Sequence, residues 1–328
     1  MPEPSPLPKR RGRLLRFGAA LVVMLAVAGY VVVQYLTGSA APRCRVVSAT
    51  GDGASYDFTP EQAVNAATIT AVGTTRGMPE RAVTIALATS LQESNLRNIE
   101  HGDRDSLGLF QQRPSMGWGS REQIMDPAYA AGMFYQHLAK VPDYTRMPLT
   151  VAAQRVQRSG YPEAYAKHES DASMLADALT GRAAATLTCQ GRPAPTASGG
   201  AAAVRAALVR DFGRDVLRTA GAEVSPSGAP SPTPTAPASR SAAPASPAPT
   251  AAAVTVPVPR RSSASGTASQ RGWELAHWAV ANSSALHIAR VSYAGREWSR
   301  GGYADEWRAD RGSDAKGSSA QVRIITGE

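Results

Sequence analysis

Apolar and polar positions divide the chain into regimes. Residues 17–36, FGAALVVMLAVAGYVVVQYL, are twenty positions with one polar member, Gln34. A run of that length is enough for a helix to span a hydrocarbon core, which takes about 20 residues. Residues 45–58 are short and mixed and read as a loop or a strand pair. Helical punctuation then begins. Thr59-Pro60-Glu61-Gln62 has a capping hydroxyl, a proline at the first helical position and a glutamine three residues on, so a helix should run to about Arg76 and stop at Gly77. Pro79 restarts it to about Leu96. Residues 97–125 carry Gly, Asp, Ser and Pro throughout and predict an ordered loop with short turns. Asp126-Pro127 opens a helix to about Lys140, Pro148 one to about Ser159-Gly160, and Pro162 one to about Thr180, with Gly181 just past it.

Beyond residue 191 the pattern changes. In AAAVRAALVRDFGRDVLR, Val204, Leu208, Phe212 and Val216 fall on one helical face. Residues 225–267 are almost wholly Pro, Ala, Ser, Thr and Val, which predicts a disordered linker. A helix at about 270–285 follows, then strand-like ARVSY, a Gly/Asp-rich loop and strand-like QVRII. These pieces predict a small α+β module made of 201–224 plus 268–328. Trp273, Trp278, Trp298 and Trp307 crowd into it and are expected mostly in its core; a surface for sugar or wall is the alternative.

Charge bears on topology. Of the net +9, Lys9, Arg10, Arg11, Arg13 and Arg16 stand against Glu3 in the first sixteen residues. A basic tail (1–16) ahead of an apolar run (17–36) predicts a cytoplasmic N-terminus, a single transmembrane anchor and an exported remainder. A cleaved signal peptide, with Ser39-Ala40-Ala41 at the cleavage site, is the rival. The remaining excess suits an anionic wall or membrane surface. Nucleic acid is not expected as a partner, because no groove-reading motif appears.

The two cysteines, Cys44 and Cys189, bracket the helical region. Outside the cytoplasm a bridge between them is the natural inference; two independent buried thiols is the alternative. No metal spacing accompanies them, and neither a metal nor a cofactor is expected.

One stretch carries candidate chemistry: LATSLQESNLRNIEHGDRDSLGLFQQRPSMGW, residues 87–118. Glu93 sits late in a mostly apolar helix. A carboxyl there, facing a cleft, is partly desolvated, so its pKa rises and it can protonate a glycosidic oxygen. Gly108 permits close backbone approach, and Gln111 and Gln112 offer the donors and acceptors that sugar hydroxyls and N-acetyl groups require. Trp118, Tyr161 and Tyr165 offer apolar faces for sugar rings or pack in the core or at the rim, and the Phe110 ring is read as packing rather than contact.

Glu93-Ser94-Asn95, followed fifteen residues later by Gly108-Leu109-Phe110-Gln111-Gln112, resembles the soluble lytic transglycosylase and goose-type lysozyme superfamily. The likeness covers roughly 60–180, and residues 82–168 are similar to lysozyme-like domains of exported actinobacterial proteins. It implies a lysozyme-like helical domain over 45–190, and so a mainly α chain. It implies Glu93 as general acid, and Ser94, Gly108, Phe110 and Gln111 as sugar contacts. Gln157 and Tyr161, in Val156-Gln157-Arg158-Ser159-Gly160-Tyr161, lie where the family has a further cleft segment, often Tyr-Asn-Ala-Gly; that Tyr-Asn pair is absent here.

A second carboxylate would decide the mechanism. Asp103 or Asp105 would steady a water for inversion if it stood about 6.5–9.5 Å from Glu93; loop-stabilising hydrogen bonds are the alternative for both. Otherwise the sugar's own 6-hydroxyl attacks, or an exposed water does so without a dedicated base. The expected activity is cleavage of peptidoglycan glycan between N-acetylmuramic acid and N-acetylglucosamine, as muramidase or lytic transglycosylase. The alternative is a non-catalytic wall-binding scaffold whose C-terminal module recruits an envelope partner.

Overall fold

The computed structural model describes residues 10–37, 42–191, 199–218, 253–259, 266–301, 306–310 and 319–327. The chain divides into two units, 1–41 and 42–328.

The first unit contains helix α1, Arg10–Thr37. Its side chains are described over 17–30, where all are exposed. Among the described residues no helix is long and apolar enough to cross a membrane. The transmembrane expectation for 17–36 therefore has no support in the structure.

The second unit begins with strands β1 (Arg43–Val47) and β2 (Ser55–Phe58). Helices α2 (Pro60–Thr75), α3 (Glu80–Ser94), α4 (Arg121–Ile124), α5 (Pro127–Leu138) and α6 (Leu149–Gln157) follow. A 3₁₀ stretch, Pro162–His168, leads into α7 (Glu169–Leu179), and β3 (Leu187–Gln190) closes this part. The helix expected over 162–180 thus starts as the tighter 3₁₀ form. Strand β1 lies between β2 and β3, and its pairing sets Cys44 opposite Cys189. The two are joined by a disulfide.

Helix α2 is the hub. The Thr59 hydroxyl accepts from Gln62 N and the Gln62 side chain accepts from Thr59 N, the reciprocal cap that its sequence encodes. Its interior is buried almost continuously from Gln62 to Gly73. It can be so because most of its side chains are small: α3, α5 and α7 all pack on it. At Gly73 a β-carbon would meet the Tyr135 hydroxyl at 2.6 Å, and that hydroxyl donates to Ile69 O at 3.0 Å.

Helix α8 (Ala201–Phe212), strand β4 (Ala253–Pro257), helix α9 (Ala268–Ala281) and strands β5 (Ile288–Tyr293), β6 (Arg296–Ser299), β7 (Arg308–Ala309) and β8 (Gln321–Thr326) complete the unit. The sheet order is β4-β8-β5-β6-β7, with antiparallel pairing throughout. Strand β4 corrects the linker expectation. Val254, Val256 and Val258 alternate and are buried, which is what β-branched residues do on a half-buried sheet. Residues 225–252 and 260–265 of that expected linker lie outside the described residues. All four tryptophans of the module are buried, as a core role requires.

The module is not appended to the helical part but shares its core. Helix α9 packs on α2, α7 and β3, and α8 packs on α2 and β4. A β-carbon at Gly181 would stand 1.9 Å from Gln270 O, so α9 approaches backbone to backbone. Polar groups cross the same seam. Thr68 donates across it to Asp211 at 3.3 Å, a carboxylate that Trp278 Nε1 also holds from within the module at 2.8 Å. Thr74 donates to Glu274, and Trp307 Nε1 donates to Leu187 O at 3.0 Å.

His277 makes the seam pH-sensitive. It is fully buried, and its Nδ1–H donates to Ala178 O at 2.7 Å, while Nε2 has no partner. Burial pushes its pKa down to about 4, against a smaller upward pull from the Ala178 carbonyl. Between pH 4 and 6.5 the unfolded chain therefore binds a proton that the folded chain refuses, and stability is lost as pH falls through that window. The loss should be roughly 3 kcal/mol. In denaturant titrations at pH 6.5 and 4, His277→Gln should lose less stability than wild type by about that amount. Equal losses in the two proteins would remove His277 from the account.

Candidate functional site

Glu93 occupies the last turn of α3, whose preceding residues from Ala82 to Leu91 are buried. The chain then reverses sharply. Asn95 and Leu96 both take left-handed backbone, at φ 53° and 56°, a conformation that costs non-glycine residues about 1 kcal/mol or more each. Side chains of α2 hold the turn: Gln62 donates to Asn95 O at 2.9 Å and Asn65 to Leu96 O at 2.8 Å. Leu96 is fully buried, which anchors the reversal in the core. Glu93 is thus fixed at the tip of a core helix and is half-buried.

Two side chains converge on its carboxyl group. Tyr165 Oη donates to Glu93 Oε1 at 2.7 Å. Gln157 also hydrogen-bonds Glu93, and its Nε2 donates to Phe110 O at 2.7 Å. Burial raises the Glu93 pKa, and the hydrogen bonds from Tyr165 and then Gln157 oppose that rise by favouring the anion. Tyr165 is itself raised, first by burial and then by the Glu93 charge, so it stays a donor. Replacing Tyr165 with Phe removes a hydrogen bond that favours the anion but leaves the desolvation. The Glu93 pKa should therefore move higher still. An NMR titration of the Glu93 carboxyl carbon in both proteins checks this, and a downward shift would contradict it.

Several residues expected at a ligand surface are instead internal. Ser94 is buried, and its hydroxyl lies 2.8 Å from Leu109 O and 3.1 Å from Ser90 O. It pins the Gly-Leu-Phe-Gln backbone to α3 and does not face a ligand. Gly108 takes φ 73°, and a β-carbon there would stand 2.8 Å from Ile124 O. Its close approach is to α4 rather than to a sugar. Leu107 and Gln112 exchange both backbone hydrogen bonds around the turn, which drives Phe110 into the core on the Phe134 ring at 4.7 Å. Gln112 is buried and donates to Ala130 O at 3.0 Å. Tyr165 is fully buried and positions Glu93, so it is no platform for a ring.

Other expected residues remain outside. Gln111 is half-buried and donates to Gly108 O at 3.2 Å, and Tyr161 is exposed. Asp105 is held by Arg113 Nε at 2.8 Å and Ser115 N at 2.9 Å. Arg113 first and Ser115 next keep its carboxyl well below the usual range. Asp103 is exposed, 4.0 Å from Arg104. Neither aspartate is among the hydrogen-bond partners of Glu93. Among the described residues no cluster of three or more His, Cys, Asp and Glu side chains is arranged to hold a metal.

A cleft of about 460 Å³ adjoins this cluster. Gln111 and Gln157 form one wall, and Trp118, His137, Lys140 and Arg155 are among its other lining residues. Glu93 is not on its surface; Gln157 connects the two. The cations of this cleft escaped the sequence reading because they come from separate segments with no shared motif. No protein-family model matches the chain, and no curated protein matches it.

Proposed function

We propose that the chain is a cell-wall glycosidase that cleaves peptidoglycan between N-acetylmuramic acid and N-acetylglucosamine, with Glu93 as general acid. The observation that carries this reading is the half-buried Glu93 carboxyl at the end of a core helix, its pKa raised by burial. A group in that state keeps its proton at higher pH than a solvated glutamate and can deliver it to a departing sugar oxygen. Tyr165 and Gln157 fix the direction of delivery. The likeness of Glu93-Ser94 and Gly108-Leu109-Phe110-Gln111 to the lytic transglycosylase and goose-type lysozyme superfamily supplies the substrate class.

Asp105 is committed to Arg113 and Ser115, which makes it a poor base for a water. That favours attack by the sugar's own 6-hydroxyl, with Glu93 protonating the leaving oxygen and then receiving the hydroxyl proton. The product is a 1,6-anhydro sugar. The Cys44–Cys189 disulfide supports a location outside the cytoplasm. The basic and apolar sequence of 1–36 serves export or attachment at the membrane. Mass analysis of fragments from purified peptidoglycan tests the chemistry. Anhydro ends, lighter by one water than reducing ends, are expected; reducing ends would restore the hydrolase route, and intact glycan would favour a binding scaffold.

A further inference from the structure

The cleft beside Glu93 has a consistent charge. Among the described residues no acidic side chain lines it, whereas Arg113, Lys140, Arg155 and Arg158 do. Arg113 is neutralised by Asp105. Lys140, Arg155 and Arg158 are exposed, and among the described residues none of them forms a salt bridge. They reach the cleft from two elements. Lys140 follows the C-terminus of α5, while Arg155 lies in the last turn of α6 and Arg158 caps that helix in left-handed backbone at φ 53°.

Between them Trp118 stacks on His137, with ring centroids 4.2 Å apart and planes 26° apart. Burial first, then Lys140 and Arg158, push the His137 pKa below its ordinary value. The ring pair is therefore a neutral floor, and the positive charge sits on the long side chains around it. Three unpaired cations around an aromatic floor, with no carboxylate to satisfy them, form a surface that an anionic ligand completes.

We propose that this cleft is a recognition site for carboxylates carried by the stem peptides of the glycan strand. This rests on the glycosidase reading, because Gln157 is shared between the cleft and Glu93, so a strand reacting at Glu93 would place an acidic substituent here. The arginines take the carboxylate in charge-assisted hydrogen bonds, Lys140 adds a point charge, and Trp118 covers apolar parts of the peptide.

The test uses the full chain with Glu93→Gln, which separates binding from cleavage. Calorimetry compares soluble glycan–peptide oligomers that carry free stem carboxylates with the same oligomers after amidation. Free carboxylates should bind about tenfold to a hundredfold more tightly. Adding Lys140→Gln, Arg155→Gln and Arg158→Gln should remove that preference, with the melting temperature unchanged. Equal affinity for both oligomers overturns the proposal, and so does an equal loss on both in the triple variant. Tighter binding of a polyglycerol phosphate chain than of the carboxylated oligomer also overturns it and reassigns the cleft to phosphate. If the parent protein cuts no glycan while the carboxylate preference persists, the glycosidase reading fails and the subsite stands. Cleavage without the preference is the reverse case.

Discussion

Glu93→Gln is expected to lower glycan cleavage by about 10²- to 10⁴-fold, the range attributed to a positioned general acid. The amide keeps the size of the carboxyl and an oxygen for Tyr165 Oη to donate to, so the local packing survives. It has no ionisable proton to give to a leaving oxygen. The same substitution should leave stability equal or improved at neutral pH. Because the folded pKa of Glu93 is raised, the folded state resists losing that proton, and wild-type stability declines as pH climbs through the raised value. Glutamine is never charged and escapes that penalty. One donor facing the Gln157 amide offsets the gain by about 1 kcal/mol. Loss of soluble-fragment release from purified peptidoglycan, with a melting temperature no lower than wild type, is the joint signature. Fragment release at the wild-type rate would take Glu93 out of the chemistry.

Local signals along the chain were readable where a single short motif decides the outcome. The Thr59–Gln62 cap starts α2 one residue after the threonine, and Asp126 caps α5 by accepting from Ala128 N. Val204, Leu208 and Phe212 form the buried face predicted for α8; Val216, expected on the same face, is buried too but lies past the helix end in a 3₁₀ turn, because the chain breaks at Gly213. What escaped depends on partners far along the chain. Strand β4 is a short valine alternation inside a Pro/Ala/Ser/Thr-rich stretch, and its hydrogen-bond partner β8 lies at the other end of the module. A composition average over the stretch hides it. Ser94 read as a ligand contact because it adjoins Glu93, yet its hydroxyl turns to Leu109 O, fifteen residues on. Tyr165 read equally as a sugar platform or a packed ring, and the structure packs it; its role at Glu93 depends on a 2.7 Å hydrogen bond across 72 residues. Asp211, Glu274 and His277 carry polar side chains on helices and gave no sign of burial: Asp211 and Glu274 pair locally with Arg210 and Arg271, yet each also accepts from a group far along the chain, Trp278 and Thr74, and His277 donates to Ala178 O, 99 residues away.

Those three residues lead to the second large effect. A chain that ends at Gly191, keeping β1 to β3 and the helices between them, is expected to lose cooperative folding. Removing α8 and α9 uncovers the faces of α2 on which both pack and the face of α7 on which α9 packs. It strips Thr68 and Thr74 of their carboxylate partners and leaves Ala178 O and Leu187 O without donors. Truncating one buried aromatic such as Trp278 to alanine already costs about 3–5 kcal/mol. Domains are stable by only about 5–15 kcal/mol in total, so losing this whole layer exceeds what the remaining core can absorb. Thermal melts by circular dichroism, with near-ultraviolet signals as the probe of packing, should show a broad transition for residues 42–191 and a sharp one for residues 42–328. In the longer chain, Trp278→Ala should keep the sharp transition at a lower temperature. If the shorter chain melts sharply at the same temperature as the longer one, the C-terminal module is an appendage and the shared core has no energetic weight.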